Sequence, residues 1–185
     1  MRKKYIPNIF TFTNMLLGLL SILLLVQIEH PHKTIIVPAM ILLGGIADFF
    51  DGFIARKLNV VTDFSKQLDS FADIITFGVA PIALINYLCS CNYKFFSITA
   101  SIIYIAASAY RLARYNLNNF KDHFVGLPIT AAGILLTIYA FAYPFWAYNT
   151  NRLQSTIITA LFLLLLSALM VSKAKVKRIF RSKSG

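Results

Sequence analysis

The chain has 185 residues, of which 58% are hydrophobic and only 14% are charged. A soluble domain of this length needs a polar surface that so few charged residues cannot supply, so the composition predicts a polytopic membrane protein. The net charge of +11 is spread along the chain without a nucleic-acid-binding motif, which argues against a nucleic-acid-binding domain. The first apolar run is long and lacks a small-residue cleavage site, so we expect no cleavable signal peptide.

Six apolar stretches are long enough to cross a bilayer, which requires about 20 apolar residues per helix. They predict an all-α polytopic fold with transmembrane helices at residues 8–28, 34–55, 67–88, 95–114, 127–147 and 153–172. No internal repeat is visible, so we expect one integral membrane domain over residues 1–185, with a short basic tail from about residue 173. Pro128 suits a helix start, whereas Pro81 and Pro144 should disturb their helices locally.

The lysines and arginines are distributed unequally between the two sides of the membrane. Fifteen of the 18 fall in the N-terminus, near the second and fourth connections, or in the C-terminal tail, all on one side of the predicted topology. The positive-inside rule then predicts a plasma-membrane protein with both termini in the cytoplasm. The same basic charge would also contact anionic membrane lipids.

Four aspartates lie where two predicted helices reach the cytoplasmic side: Asp48, Asp51, Asp69 and Asp73. At about 100° per residue, the first two share one helix face and the last two share another. Small residues occupy the rest of both faces, namely Gly44, Gly45, Gly52 and Ala55 on the first and Ser65, Ala72, Thr76 and Ala80 on the second. Two adjacent antiparallel helices would therefore bring all four carboxylates together and leave space beside them for a ligand.

Burying these carboxylates is costly. Four isolated aspartates at the bilayer midplane would cost about 10–14 kcal/mol, and mutual repulsion adds to that figure. Divalent cations offset both costs, and carboxylate oxygens suit Mg²⁺ or Mn²⁺, with room for two ions. The alternative is a structural ion network between the aspartates and Arg56, Lys57 and Lys66, although most of the acids would then lack a nearby helical partner.

Two metal ions beside a bilayer are suited to a diphosphate. Gly52 would let the backbone approach that group, Arg56 could clamp its oxygens, and one aspartate could act as general base toward an incoming hydroxyl. The residues thus indicate metal-assisted phosphoryl-type transfer. A divalent-cation transporter is the alternative from another class, although its path should carry polar groups through the full membrane depth. An aspartate-rich membrane prenyltransferase is a third possibility, but such enzymes usually need more helices.

The spacing of Asp48, Asp51, Gly52, Ala55, Arg56, Ser65, Asp69 and Asp73 resembles the signature of the CDP-alcohol phosphotransferase family, D-x2-D-G-x2-A-R-x8-G-x3-D-x3-D. The match is complete except at Ser65, where the family has glycine. The resemblance implies a fold of six helices with cytoplasmic termini, a homodimer, and metal binding by Asp48, Asp51, Asp69 and Asp73. It also implies that Gly52, Arg56 and the residue at position 65 contact CDP-diacylglycerol.

Four further segments, YIPNIFTFTN, LDSFADIITFGVAP, RLARYN and VGLPIT, resemble the serine-accepting bacterial membrane branch of that family. This resemblance implies transfer of the phosphatidyl group from CDP-diacylglycerol to L-serine, giving phosphatidylserine and CMP, with Asp73 as the base. Thr11 and Asn14 would line the nucleotide site, and Arg111 and Arg114 are candidates for binding the serine carboxylate. A phosphatidylglycerophosphate synthase of the same family is the alternative, because the catalytic string is shared.

Overall fold

The structure is a computed structural model, and it describes residues 6–27, 32–58, 62–89, 94–117, 124–172 and 175–176. Its described part contains six helices that are long and apolar enough to span a membrane, which confirms the predicted fold class. We name them α1 to α6 in chain order: Ile6–Gln27, Lys33–Leu58, Asp63–Leu88, Lys94–Leu117, Ile129–Ala147 and Arg152–Val171. The basic N-terminus and most of the basic tail lie outside the described residues.

Helix α3 is not uniform along its length. It is α-helical over Asp63–Asp73, π-helical over Ile74–Val79 and α-helical again over Ala80–Leu88. Pro81 follows the π-helical segment and has no N–H to donate to the carbonyl four residues earlier. That carbonyl, on Phe77, instead accepts a 3.2 Å hydrogen bond from the Tyr104 hydroxyl of α4. The disturbance predicted at Pro81 is therefore confirmed, whereas α5 continues through Pro144 and ends three residues later at Ala147.

Helix α3 lies at the centre of the bundle. Helix α1 packs along α2, α4 packs along α6, and the π-helical segment contacts α1, α4 and α5. Gly133 of α5 lies directly against Phe77, since a Cβ atom at Gly133 would come within 2.5 Å of the Phe77 side chain and 2.7 Å of its backbone. The outward faces carry many exposed large apolar side chains, such as Leu43 and Phe145, as expected for a surface in contact with lipid.

The connection between α4 and α5 is attached to the end of α6. Two short antiparallel strands, β1 (Phe124–Val125) and β2 (Lys175–Val176), pair across this junction. Gly126 has φ of 78°, and a Cβ atom there would come within 2.5 Å of the Met170 carbonyl oxygen. The Leu127 N–H donates to the Leu169 carbonyl at 3.0 Å. These contacts fix where α5 begins, with Pro128 at its N-cap as the sequence predicted.

Candidate active site

The aspartates of α2 are each bonded to a hydroxyl from a different helix. Asp51 is only 6% exposed, and its Oδ2 accepts a 2.8 Å hydrogen bond from Thr11 of α1. Asp48 is half-buried, and its Oδ2 accepts a 3.4 Å hydrogen bond from Thr130 of α5. The sequence analysis did not identify Thr130, because only the folded chain brings it to a residue 82 positions away.

The aspartates of α3 lack comparable donors. Asp69 is half-buried and Asp73 is 7% exposed. The Oδ1 atom of each is buried and has no hydrogen-bond partner among the described residues. Buried polar atoms are almost always paired, so these oxygens call for a ligand, a proton or a cation.

The structure brings the four carboxylates together as the helical spacing predicted. Ligand atoms of Asp48, Asp51 and Asp69 lie within 4.8 Å of one another. Asp73 is outside that group of three but interacts electrostatically with each of its members. Three converging carboxylates beside unpaired buried oxygens fit a hard divalent cation, which prefers oxygen ligands and offsets their repulsion. The residues present therefore fit the metal that the sequence analysis predicted.

Gly52 and Arg56 lie one turn apart beyond the aspartates of α2. The guanidinium group of Arg56 folds back over Gly52, and a Cβ atom at Gly52 would come within 3.2 Å of Arg56 Nη1. Arg56 interacts electrostatically with Asp48 and Asp51 while its side chain stays exposed. A cation thus stands at the exposed edge of the carboxylate cluster, where it could contact an anionic ligand.

Ser65, at the position of the family glycine, takes part in the start of α3. Its backbone N–H donates to Thr62 Oγ1 at 3.1 Å, and its hydroxyl oxygen accepts from the Thr62 N–H at 3.0 Å. This reciprocal capping box satisfies donors that the first helical turn leaves free. Ser65 lies one turn before Asp69, so its backbone remains on the face of the cluster.

Thr11 and Asn14 are residues of α1 that face α2, at different distances along the helix from the aspartate cluster. Thr11 contacts the cluster directly through Asp51. Asn14 is fully buried, and a Cβ atom at Gly44 would come within 2.9 Å of Asn14 Oδ1. Its backbone carbonyl accepts from Thr76 at 2.9 Å, whereas both amide atoms lack a hydrogen-bond partner among the described residues.

The two arginines of α4 have different environments. Arg111 is only 7% exposed, interacts electrostatically with Asp73 and lies 5.8 Å from the Tyr115 ring, and its buried Nε has no hydrogen-bond partner in the described part of the chain. Arg114 instead donates to the carbonyls of Val171 at 3.0 Å and Ser172 at 3.3 Å, at the end of α6. The structure thus brings Arg111 to Asp73, whereas the hydrogen bonds of Arg114 to Val171 and Ser172 attach it to the end of α6.

Comparison with known proteins agrees with this arrangement. The family described as CDP-alcohol phosphatidyltransferase matches residues 4–174. The chain belongs to that family and is a transferase.

Several curated relatives match over most of the chain, among them proteins of Bacillus subtilis and Helicobacter pylori. A Bacillus subtilis protein named CDP-diacylglycerol–serine O-phosphatidyltransferase is 38% identical over 172 residues, 92% of this chain and 89% of the relative. A Helicobacter pylori protein of the same name is 33% identical over 175 residues, 91% of this chain and 70% of the relative. A Rickettsia bellii protein named CDP-diacylglycerol–glycerol-3-phosphate 3-phosphatidyltransferase is 38% identical over only 81 residues, 44% of each chain.

Proposed function

We propose that this single-domain protein transfers the phosphatidyl group of CDP-diacylglycerol to the hydroxyl of L-serine, giving phosphatidylserine and CMP. The observation that carries this proposal is the placement of buried Arg111 beside Asp73 at the edge of the carboxylate cluster. A buried guanidinium with an unpaired Nε can bind the carboxylate of an amino acid, while the neighbouring aspartate accepts a proton from its side chain. The names of the two relatives that match over most of this chain support the same acceptor.

Asp73 acts as the general base. It takes the proton of the serine hydroxyl as the serine oxygen forms a bond to the β-phosphorus, the phosphorus that carries the diacylglycerol. The bond from that phosphorus to the oxygen it shares with the CMP phosphate breaks, and CMP leaves with the electron pair. Asp73 is buried beside three other carboxylates. No hydrogen bond from the described residues engages its Oδ1, so this oxygen is available to accept the proton.

The other three aspartates would hold the metal, and Asp73 would supply a further ligand. When bound, Mg²⁺ or Mn²⁺ would neutralise the diphosphate and stabilise the negative charge that develops on the departing CMP. Thr11 holds Asp51 in place, and Arg56 binds phosphate oxygens above Gly52. Asn14 and the backbone at Ser65 support the nucleotide end of the site.

The membrane orientation follows from charge. The aspartate cluster lies near the ends of α2 and α3 that join the second connection, the side richest in lysine and arginine. We therefore propose that the active site and both termini face the cytoplasm. The nucleotide head group of CDP-diacylglycerol would be in contact with water on that side. Anionic lipids of the same membrane surface would contact the basic tail. A homodimer remains a prediction from the family resemblance.

Glycerol 3-phosphate is the second candidate acceptor, favoured by the partial match to the Rickettsia protein. Its phosphate would also bind an arginine, so Arg111 alone does not exclude it. The serine acceptor has the wider support, because the relatives with that name match over most of the chain. Because the chain belongs to a family of transferases, transfer to either acceptor is favoured over a function in ion transport.

The test is CMP release by the purified protein in detergent, with CDP-diacylglycerol and Mn²⁺ or Mg²⁺. L-serine, glycerol 3-phosphate and inositol phosphate are offered separately, and the lipid product is identified by mass. Release with serine alone supports the proposal. CMP release with glycerol 3-phosphate alone would support the proposed aspartate chemistry but show that glycerol 3-phosphate, and not serine, is the acceptor. CMP release in the absence of divalent metal would contradict the proposed metal site.

A further inference from the structure

Among the described residues, the four aspartates receive side-chain hydroxyl hydrogen bonds from only two threonines. Thr11 donates to Asp51 from α1, and Thr130 donates to Asp48 from α5. The two donors lie on different helices, so they approach the aspartates of α2 from separate directions. Thr11 already belongs to the predicted nucleotide site, whereas Thr130 has no role in the mechanism proposed above.

The hydroxyl of Thr130 is available because of where α5 begins. Threonine inside a membrane helix usually donates to the carbonyl four residues earlier, as Thr137 does to Gly133 at 2.7 Å. Thr130 is the second residue of α5, so no preceding helical turn offers it such a carbonyl. Gly126 and Leu127 fix this helix start against the end of α6, which holds the Thr130 hydroxyl toward Asp48.

A neutral donor suits a metal ligand better than a charged one. A lysine or arginine bonded to Asp48 would compete with a cation for the same negative charge. A threonine hydroxyl instead occupies one lone pair of Oδ2 and leaves the full charge and the other lone pairs for a metal. It also restrains rotation of the carboxylate, as hydrogen bonds to metal ligands commonly do.

We infer that Thr130 is a positioning residue of the metal site, orienting the Asp48 carboxylate toward the cation shared with Asp51 and Asp69. The inference rests on the proposed metal-dependent function. According to this inference, the first turn of α5 contributes to metal affinity. The contacts that attach the start of α5 to the end of α6 contribute indirectly, because they position that turn. In this assignment Thr130 acts through Asp48, so its effect should appear first in the affinity for the metal.

The test is direct Mn²⁺ titration of the purified, metal-free protein in detergent, followed by the electron paramagnetic resonance signal of free Mn²⁺. Thr130→Val, which keeps the shape but removes the hydroxyl, should weaken Mn²⁺ binding by about tenfold. Thr130→Ser should retain the wild-type affinity. Thr137→Val is the matched control on the same helix, because its hydroxyl bonds only its own backbone in the described structure, and it should leave Mn²⁺ binding unchanged.

A kinetic signature accompanies the binding result. Saturating Mn²⁺ should restore most of the turnover of Thr130→Val, and KM for serine should stay constant. Wild-type affinity in Thr130→Val, or equal losses in the valine and serine variants, would overturn the inference; Thr130→Ala supplies the same comparison if the valine variant does not fold. Failure of the wild-type protein to bind Mn²⁺ would instead remove the proposed metal site and the inference together.

Discussion

The guanidinium group of Arg56 lies over Gly52, so that a Cβ atom at Gly52 would stand 3.2 Å from Arg56 Nη1. The contact explains the glycine without any unusual backbone conformation, because it joins two residues one turn apart on a regular helix. Arg56 can bind a phosphate near the carboxylate cluster only while its guanidinium lies close to the helix. Gly52 therefore acts through the position of Arg56 as well as through its own small size.

Gly52→Ala should raise KM for CDP-diacylglycerol by about tenfold, because the added methyl group displaces the guanidinium. Thermal stability should change little, since the displaced atoms belong to the far end of a flexible side chain. Gly45→Ala is the matched control on α2, where the nearest atom would be 3.5 Å away and the methyl group fits. If Gly52→Ala lowers activity equally in an Arg56→Ala background, the two residues act independently and this explanation fails.

Asp73→Asn should reduce CMP release by about 10²–10⁴-fold, because an amide cannot take the serine proton. The group of Asp48, Asp51 and Asp69 excludes Asp73, so the variant should still bind at least one Mn²⁺ ion. Asp63→Asn is the control, since Asp63 is an exposed residue of the same helix paired with Lys66 at 3.4 Å. Near-normal turnover in Asp73→Asn would show that another group is the base.

Arg111 and Arg114 should respond differently to the same substitution. Arg111→Lys should raise KM for serine by about tenfold, because lysine lacks the planar fork that binds a carboxylate at two points. Arg114→Lys should lower the melting temperature and leave KM for serine unchanged, because Arg114 bonds the last carbonyls of α6. A rise in KM for serine in the Arg114 variant would place that residue in the serine pocket instead.

Ser65→Ala should lower the free energy of unfolding by about 1 kcal/mol, because the capping box at the start of α3 loses one of its hydrogen bonds. Turnover should stay near the wild-type value, since the hydroxyl bonds Thr62. Denaturant titration in detergent, in parallel with CMP release, measures both effects. The double variant Thr62→Ala/Ser65→Ala should lose less free energy of unfolding than the sum of the losses in the two single variants. Strict additivity of these losses would contradict a shared capping box.

The sequence predicted those parts of the molecule that depend on local pattern. Hydropathy identified all six spans, and helical periodicity placed the aspartates on shared faces. Phe49 and Phe71, which are neighbours of these aspartates in sequence, are exposed on other faces of the same helices. Hydropathy placed the start of α3 at residue 67, whereas the Thr62 cap begins it at Asp63. The polar ends of α2 and α3 that join the second connection carry the site, and a hydropathy criterion places the helix boundary short of these polar residues.

Contacts between distant segments were beyond such patterns. Arg111 and Arg114 have the same side chain and lie three positions apart, and only the location of the end of α6 separates their environments. The bond from Thr130 to Asp48 likewise depends on the α4–α5 connection. Pro81 signalled a disturbance in α3, but its π-helical form depends on partners from other helices, including Tyr104 and Gly133.

Gly133→Ala tests that packing. The added Cβ atom would lie 2.5–2.7 Å from Phe77, including its backbone, so α5 or the π-helical segment must move. We expect a loss of about 1–3 kcal/mol in the free energy of unfolding. Gly78→Ala, in the π-helical segment itself, is the control, because its nearest neighbour would be 3.8 Å away, an ordinary contact. Equal stability of the two variants would show that α5 packs less closely on Phe77 than the structure indicates, and that the π-helical segment directly after Asp73 is not held in place by this glycine.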